Sequence, residues 1–276
     1  MLIRVGFSAD PDDAFMFWGL ASGTVDPHGY DFEPVIDDIQ SLNELALEGR
    51  LEVTAMSAAT YPLVQDRYVL LPHGASIGSG YGPIVVAREL LSLDELRATE
   101  IVIPGLLTTA FLVLKLALGG DVAHRVLPFD EIDAEVASGR AAAGLLIHEG
   151  QLTYGDEGLH KCLDLGEWWL LETGLPLPLG VNTARRDLGP EVLHDVSALL
   201  RESIDAALEH REEALDYALG FGRGMDAERG DRFIDMYVNE HTRDYGDEGR
   251  EAIRELLARA EALGAYAAPV HVQFVE

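Results

Sequence analysis

Residues 2–23 read LIRVGFSADPDDAFMFWGLASG, and the architecture of the chain can be developed outward from them. Leu2 to Phe7 is a short, mostly apolar run that predicts a buried strand. The Asp-Pro-Asp-Asp segment at 10–13 then predicts a helix start. Asp10 suits the N-cap, proline suits the first helical position, and the two following acids suit the positive end of the helix dipole. A strand followed at once by a helix predicts the first βα unit of the fold.

Further βα units follow along the chain. Two capping-box patterns, Ser41-Leu-Asn-Glu44 and Ser92-Leu-Asp-Glu95, indicate helix starts. The apolar runs predict strands at 30–36, 51–56, 100–103 and 142–147, and the patterns between them predict helices at 108–118 and 129–138. Strands that alternate with helices at a spacing of roughly 10–15 residues are typical of α/β proteins. We therefore expect mostly parallel sheets with helices on both faces.

Two glycine- or proline-rich segments predict that the chain crosses between two lobes. The stretch Gly74–Gly82 leads into a predicted strand at 83–87, and Gly174–Gly180 forms the return. From residue 190 onward the patterns predict helices only, at 190–210, 211–220, 226–240 and 247–263. We expect lobe 1 to contain residues 1–86 and 181–276 and lobe 2 to contain residues 87–180. This connectivity predicts a two-lobed, periplasmic-binding-protein-like fold of type 2 with a ligand cleft between the lobes.

Composition excludes several kinds of partner. The 276-residue chain has 48 acidic residues against 20 lysines and arginines, a formal net charge of −28. Such a chain repels phosphate backbones and anionic lipid, so we expect neither nucleic acid nor a membrane surface as a partner. The N-terminus has no signal-peptide pattern, so we expect a cytoplasmic protein. Cys162 is the single cysteine, which excludes an internal disulfide. The oligomeric state stays open, a homodimer included.

Candidate site residues follow predicted strands, where open α/β sheets bind their ligands. His148 can act as a general base because the imidazole pKa lies near neutrality. The hydroxyls of Ser57, Thr108 and Thr109, together with helix N–H groups, can hold a carboxylate. Asp10 can face the cleft as well as cap its helix. Each residue also has a purely structural interpretation, which is packing for His148 and helix capping for the others. No histidine pair has metal-ligand spacing, so we expect no metal site.

Five segments, in order along the chain, resemble the 1,4-dihydroxy-6-naphthoate synthase family. Their family patterns are Ser-Pro-x-Pro-Asn-Asp-x-Phe-x-Phe, Val-Thr-x-x-Ser, Pro-Gly…Thr-Thr-Ala, Ile-His-Glu-Gly-x-Leu-Thr-Tyr and Gly-Leu-Pro-x-Pro-Leu-Gly. The matching segments here are Phe7–Phe17, Val53–Ser57, Pro104–Ala110, Ile147–Tyr154 and Gly174–Gly180. The chain departs from the first pattern at three positions. Ala9 replaces a proline, Asp10 a cysteine and Asp12 an asparagine, and the added carboxylates would repel an anionic ligand group.

The resemblance implies a lyase of the futalosine route to menaquinone. The family binds cyclic dehypoxanthinyl futalosine, a small-molecule carboxylate, between two lobes. It breaks a carbon–carbon bond without a cofactor and releases 1,4-dihydroxy-6-naphthoate. Carried onto this chain, the resemblance assigns the base to His148 and substrate contacts to Ala55, Met56, Ser57, Thr108 and Thr109, and we add Asp10 as a cleft-facing contact. Two alternatives stay open: chorismate dehydratase of the same pathway, and a non-catalytic protein that binds a small anionic solute.

Overall fold

The computed structural model describes residues 1–148, 150–221 and 227–276, and in these residues the chain forms two β-sheets flanked by helices. The first sheet has the order β2-β1-β3-β11-β4, with β5 paired to β11. Its strands are β1 (Leu2–Ser8), β2 (Asp31–Asp37), β3 (Val53–Ser57), β4 (Tyr68–Leu70), β5 (Ser76–Gly78) and β11 (Leu177–Arg185). The second sheet has the order β10-β6-β9-β7-β8. Its strands are β6 (Ile84–Ala87), β7 (Ile101–Ile103), β8 (His124–Val126), β9 (Ala143–Leu146) and β10 (His160–Asp164).

Both sheets are mixed, so the expectation of mostly parallel sheets is only partly right. The strands of the predicted βα units are parallel: β1 with β2 and β3, and β7 with β8 and β9. Strand β11 runs antiparallel to β3, β4 and β5, and β6 runs antiparallel to β9 and β10. Parallel neighbours need a crossover connection over their own sheet. Strands β6 and β11 each follow a segment of the other sheet, so no such crossover fixes their direction.

The first sheet takes strands from both ends of the chain and the second from its middle, which is the order that two crossings require. The exact division, residues 1–86 with 181–276 and residues 87–180, stays a prediction. Helices of the first half are α1 (Pro11–Ala21), α2 (Ile39–Glu48), α3 (Tyr61–Val64), α4 (Leu93–Arg97), α5 (Thr109–Leu118) and α6 (Ile132–Ala137). Those of the second half are α7 (Gly150–Thr153), α8 (Leu165–Thr173), α9 (Pro190–Glu209), α10 (Arg211–Leu219), α11 (Ala227–Tyr237), α12 (Glu240–Arg243) and α13 (Gly246–Ala262).

The predicted helical region after residue 190 is confirmed for the described residues, although Asp226 at the start of one predicted helix lies outside them. The capping box at Ser92 is also confirmed. The capping box at Ser41 is wrong, because α2 begins earlier. The carboxylate of Asp38 accepts hydrogen bonds from the N–H groups of Gln40 and Ser41, which places Ser41 inside the first turn.

Successive side chains of the central strands point to opposite faces of their sheet, and helices pack against both faces. In β1, Val5 and Phe7 pack into the cluster that contains α1 and α9, while the intervening Gly6 lies against Leu42 of α2. In β6, Val86 packs with α6 and Val85 joins a cluster that includes α5. Strands β1 and β6 thus bury both faces, as strands inside an α/β sheet do. No helix in the described ranges is long and apolar enough to span a membrane.

Candidate active site

A cavity lies between the two sheets, beside the ends of β1, β3 and β9. It encloses about 670 Å3 of space free of protein atoms, its open mouth included. The polar and small side chains that line it are Ser8, Asp10, Asp12, Asp13, Ala55, Ser57, Ser76, Thr108, Thr109, His148, Gln151 and Tyr237. Apolar walls come from Ile39, Met56, Pro83, Ile147, Leu179, Val181 and Phe233. All seven residues predicted for the site line this cavity.

His148 and Asp10 meet inside the cavity. The imidazole Nδ1 lies 2.7 Å from Asp10 Oδ2, with only 13% and 11% of the two side chains exposed. The same carboxylate oxygen accepts a hydrogen bond from Ser8 Oγ at 2.7 Å. A carboxylate at Nδ1 holds the proton on that nitrogen, which leaves Nε2 as the basic atom of a neutral imidazole. The pair therefore presents an oriented base to the cavity.

The backbone and ring of His148 are also fixed by their surroundings. Its φ of 55° lies in the left-handed region, which residues other than glycine rarely adopt outside turns and functional sites. The amide of Gln151 supports this geometry: with its nitrogen facing the Gly82 carbonyl at 2.7 Å, its oxygen accepts the N–H of His148 at 3.2 Å. Phe129 stands edge-on to the imidazole, with ring centroids 4.5 Å apart. Glu149, the next residue and one whose carboxylate could orient the ring, lies outside the described residues.

Asp10 was also predicted as the N-cap of α1, and its side chain makes no such bond. Asp10 occupies the N-cap position with extended backbone, but its carboxylate turns toward His148 and Ser8 instead of the helix N–H groups. In a buried site, an imidazole N–H is a strong partner for a carboxylate, because an unpaired charge there is costly.

Asp12 and Asp13 follow on the first turn of α1, and both are buried. Asp13 Oδ2 accepts the backbone N–H of Ser8 at 2.8 Å, and Asp12 Oδ2 accepts the hydroxyl of Ser76 at 2.8 Å. Burial, followed by the neighbouring Asp13 and Asp10, raises the pKa of Asp12 to about 8. Burial is likewise the largest cause that raises the pKa of Asp13 to about 6. Close carboxyl groups in an apolar site resist ionising together.

Ser57, at the end of β3, is held by Asn43 of α2. The Asn43 amide donates to Ser57 Oγ at 3.0 Å and accepts the Ser57 N–H at 2.8 Å. Because the Ser57 oxygen already accepts this bond, its own proton can be donated to a ligand. The side chain makes no cap bond at the short helical turn that follows, so the simple capping interpretation of Ser57 is wrong.

The hydroxyls of Thr108 and Thr109 are both used within the protein. Thr108 Oγ1 caps α5 by accepting the Phe111 N–H at 3.2 Å and donates to the carbonyl of Gly105 at 2.9 Å. Thr109 Oγ1 donates to the Leu179 carbonyl at 2.6 Å and accepts the N–H of Ala59 at 3.2 Å. The donors that remain for a ligand are the backbone N–H groups of the first turn of α5, which a helix cannot satisfy internally.

Several residues of the site carried no recognised signal in the sequence. Ser76 lies in the glycine-rich stretch predicted as a crossing between the lobes, and Asn43 lies inside α2. Tyr237 comes from α11, and no local pattern connects that helix with the cleft. Gln151 falls within the Ile147–Tyr154 segment, so the family pattern could have indicated it. The described residues contain no group of three or more histidine, cysteine or acidic side chains arranged to hold a metal ion.

Fold and site together define the class of protein: a two-lobed α/β protein of the periplasmic-binding-protein type that carries a histidine–aspartate pair in its cleft. The chain belongs to the menaquinone biosynthesis family, which matches residues 3–262. It is 44% identical over 262 residues to the 1,4-dihydroxy-6-naphtoate synthase of Thermus thermophilus, with 95% of each chain covered. It is 39% identical over 267 residues to that of Streptomyces coelicolor, covering 95% of this chain and 94% of the relative. Both relatives are named as synthases, so this homology identifies the chain as an enzyme.

Solved structures agree with this placement. A crystal structure of a protein from Archaeoglobus fulgidus superimposes with a TM-score of 0.91 at 46% identity, covering 96% of this chain and 98% of that one. The ligand-binding component of an ABC-type import system from Staphylococcus aureus has a TM-score of 0.72 at 14% identity, covering 100% and 96%. At that identity the second likeness shows the fold alone. The predicted periplasmic-binding-protein-like fold is confirmed.

Proposed function

We propose that the protein is a 1,4-dihydroxy-6-naphthoate synthase, a carbon–carbon lyase that cleaves cyclic dehypoxanthinyl futalosine. The observation that supports this best is the Asp10–His148 pair, buried in a cavity with apolar walls. Such walls suit an aromatic product, and an oriented base suits a reaction that begins with proton removal. The names of the two curated relatives support the same product. A cytoplasmic location and a homodimer stay predictions.

In the first step of the proposed reaction, Nε2 of His148 takes a proton from a substrate hydroxyl. The electrons of that O–H bond form a carbonyl while the adjacent carbon–carbon bond breaks. The freed electron pair enters the ring system that becomes aromatic, and the imidazolium returns the proton. Asp10 stabilises the imidazolium that forms between the two steps, because a carboxylate at Nδ1 favours the charged ring.

The substrate carboxylate is bound in this proposal by neutral donors. Ser57 at the end of β3 and the first residues of α5, Thr109 and Ala110, line the same part of the cavity. Hydrogen bonds from neutral donors to a charged oxygen gain strength where water is excluded. Gln40 and Thr60 are hydrogen-bonded to the backbone of Leu107 across the cleft, at 3.1 and 3.0 Å, and so hold the start of α5 in place.

The test is incubation of the purified protein with cyclic dehypoxanthinyl futalosine, followed by liquid chromatography and mass spectrometry for 1,4-dihydroxy-6-naphthoate. We expect product from the wild type and a loss of about 10²- to 10⁴-fold in kcat for His148→Ala, with substrate binding retained. His28→Ala, at an exposed histidine, is the control and should keep full activity.

Two results would redirect the assignment. A wild-type protein that consumes chorismate but not the futalosine substrate is a dehydratase of the same pathway. Tight binding of a small anion with no turnover of either compound indicates a solute-binding protein. A fully active His148→Ala variant would leave the reaction in place and remove His148 as its base.

A further inference from the structure

The charges in the cavity pose a problem for a carboxylate substrate. Asp10, Asp12 and Asp13 are at most 8% exposed and all line the cavity, and none of the described lining residues is a lysine or arginine. With all three carboxyl groups ionised, even a protonated His148 would leave the site negative. An anionic ligand would then be repelled across a short distance in a medium that screens poorly.

Each of the three carboxyl groups accepts a hydrogen bond inside the protein, and the partners differ. Asp10 Oδ2 contacts His148 Nδ1 and accepts the Ser8 hydroxyl, and Asp13 Oδ2 accepts the Ser8 backbone N–H, so both are tied to the end of β1 or to His148. Asp12 is instead held from β5, where Ser76 Oγ donates to its Oδ2. Its other oxygen, Oδ1, has no hydrogen-bond partner within residues 1–148, 150–221 and 227–276. Asp12 therefore has one oxygen fixed by β5 and one oxygen left for a ligand in the cavity.

The surroundings of Asp12 favour its protonated form. Asp10 and Asp13 face it from its own helix, Ser76 from β5, Tyr237 from α11 and His148 from the segment after β9. Burial and the two acids act against ionisation, whereas Ser76 and His148 act for it. Tyr237 is buried, with its pKa raised above the ordinary value, so it supplies no charge near neutral pH.

We infer that Asp12 works as a neutral carboxylic acid whose proton, on Oδ1, is donated to the carboxylate of the substrate. A protonated acid supplies one O–H donor, and an O–H bond to a charged oxygen is short and strong. Ser76 positions the acid by its bond to Oδ2. Asp12 is thereby a specificity residue that selects an anionic oxygen, and the inference rests on the proposed function, which supplies the carboxylate.

Binding of 2-naphthoate, with neutral 2-naphthamide as its matched partner, tests the donor without turnover. For the wild type we expect the Kd of naphthoate to weaken about tenfold between pH 7 and pH 9, since Asp12 loses its proton with a pKa of about 8. Asp12→Asn, which keeps a neutral donor, should remove this pH dependence. Asp12→Leu should weaken naphthoate at every pH and leave naphthamide unchanged. Asp121→Asn, at an exposed aspartate, should behave as the wild type does.

Infrared spectroscopy gives an independent readout. With ¹³C-labelled aspartate, we expect at pH 7 a carbonyl band of a protonated carboxyl group that disappears in Asp12→Asn and stays in Asp121→Asn. The inference is overturned if the band survives in Asp12→Asn, or if naphthoate binding keeps its pH dependence in every variant. If the wild type produces no dihydroxynaphthoate while the band and the naphthoate binding behave as expected, the proposed reaction fails and the acid donor stands.

Discussion

At the scale of single residues, Asp10 shows how one substitution can change the chemistry of a site. In the family pattern this position holds a cysteine, whereas here a carboxylate reaches the Nδ1 atom of His148 at 2.7 Å. A thiol is a weak acceptor, so the carboxylate fixes the ring tautomer more firmly. The basicity of His148 in this protein therefore depends on a residue that is 138 positions away in the chain.

Asp10→Asn tests that dependence. The amide can present an N–H to Nδ1, which would move the imidazole proton to Nε2 and remove the base from the cavity. We expect kcat for dihydroxynaphthoate formation to fall about 10²- to 10⁴-fold with little change in KM. The matched control is Asp26→Asn, at an exposed aspartate that lies 4.0 Å from the exposed His28. Equal activity of Asp10→Asn and wild type would show that Asp10 does not orient the ring.

Asp12 also links the site to stability. Its folded-state pKa of about 8 exceeds the ordinary 3.8, so folding takes up a proton at intermediate pH and becomes less favourable as the pH rises. Asp12→Asn removes this linkage. We expect the variant to be more stable than the wild type, with a gain in unfolding free energy that is about 2–3 kcal/mol larger at pH 7 than at pH 5. Urea unfolding at the two pH values measures it, and an equal gain at both would contradict an uncharged Asp12.

At the scale of elements, the cleft is held by contacts between the start of α2 and the loop before α5. Gln40 Oε1 accepts the N–H of Leu107 at 3.1 Å, and a Cβ added to Gly105 would overlap the same amide. Glycine is thus required here by close approach rather than by an unusual backbone angle. The loop, its Pro-Gly turn and the helix start form one unit that meets α2 across the cavity.

Gly105→Ala should displace Gln40 and loosen this unit. We expect kcat/KM to fall about tenfold, up to 10²-fold, because small misplacements of binding groups are costly to catalysis. Removing the clash with Gln40→Ala in the same chain should give a double variant whose loss is smaller than the sum of the two single losses. Gly155→Ala, at a glycine with open space around it, is the control. Additive losses would mean that the two residues act separately.

At the scale of the whole molecule, the dominant feature is charge. A net charge of −28 on a 276-residue chain produces strong self-repulsion, and the arginines that form ion pairs offset only part of it. Most acids lie on the exposed surface, yet three lie in the cavity. The same excess of acid therefore has two physical effects: repulsion in solvent, which salt screens, and raised pKa values in the cleft, where burial is the main cause.

Added salt should stabilise the protein. Screening reduces surface repulsion over a Debye length of about 10 Å at 0.1 M and about 3 Å at 1 M. We expect the melting temperature to rise steadily with KCl over that range. The pH dependence of naphthoate binding should change far less, because the cavity groups are buried. A melting temperature that falls with KCl would show that attractive ion pairs outweigh the repulsion.

The sequence alone indicated the βα units at β1, β3, β7 and β9 and the long C-terminal helices, because strand and helix periodicity, caps and glycine turns are local properties of neighbouring residues. It did not indicate the short strands β4, β5, β8 and β10, or β11 behind its Pro/Gly segment. It also placed His148, Ser57 and Thr108 at strand or helix ends. It could not give the direction of β6 and β11, the contact between Asp10 and His148, or the approach of Ser76 and Tyr237 to Asp12. Each of these joins segments far apart in the chain. Distances across a cleft, and the burial that keeps Asp12 neutral, arise only when both sheets and the C-terminal helices pack together and exclude water from the space between them.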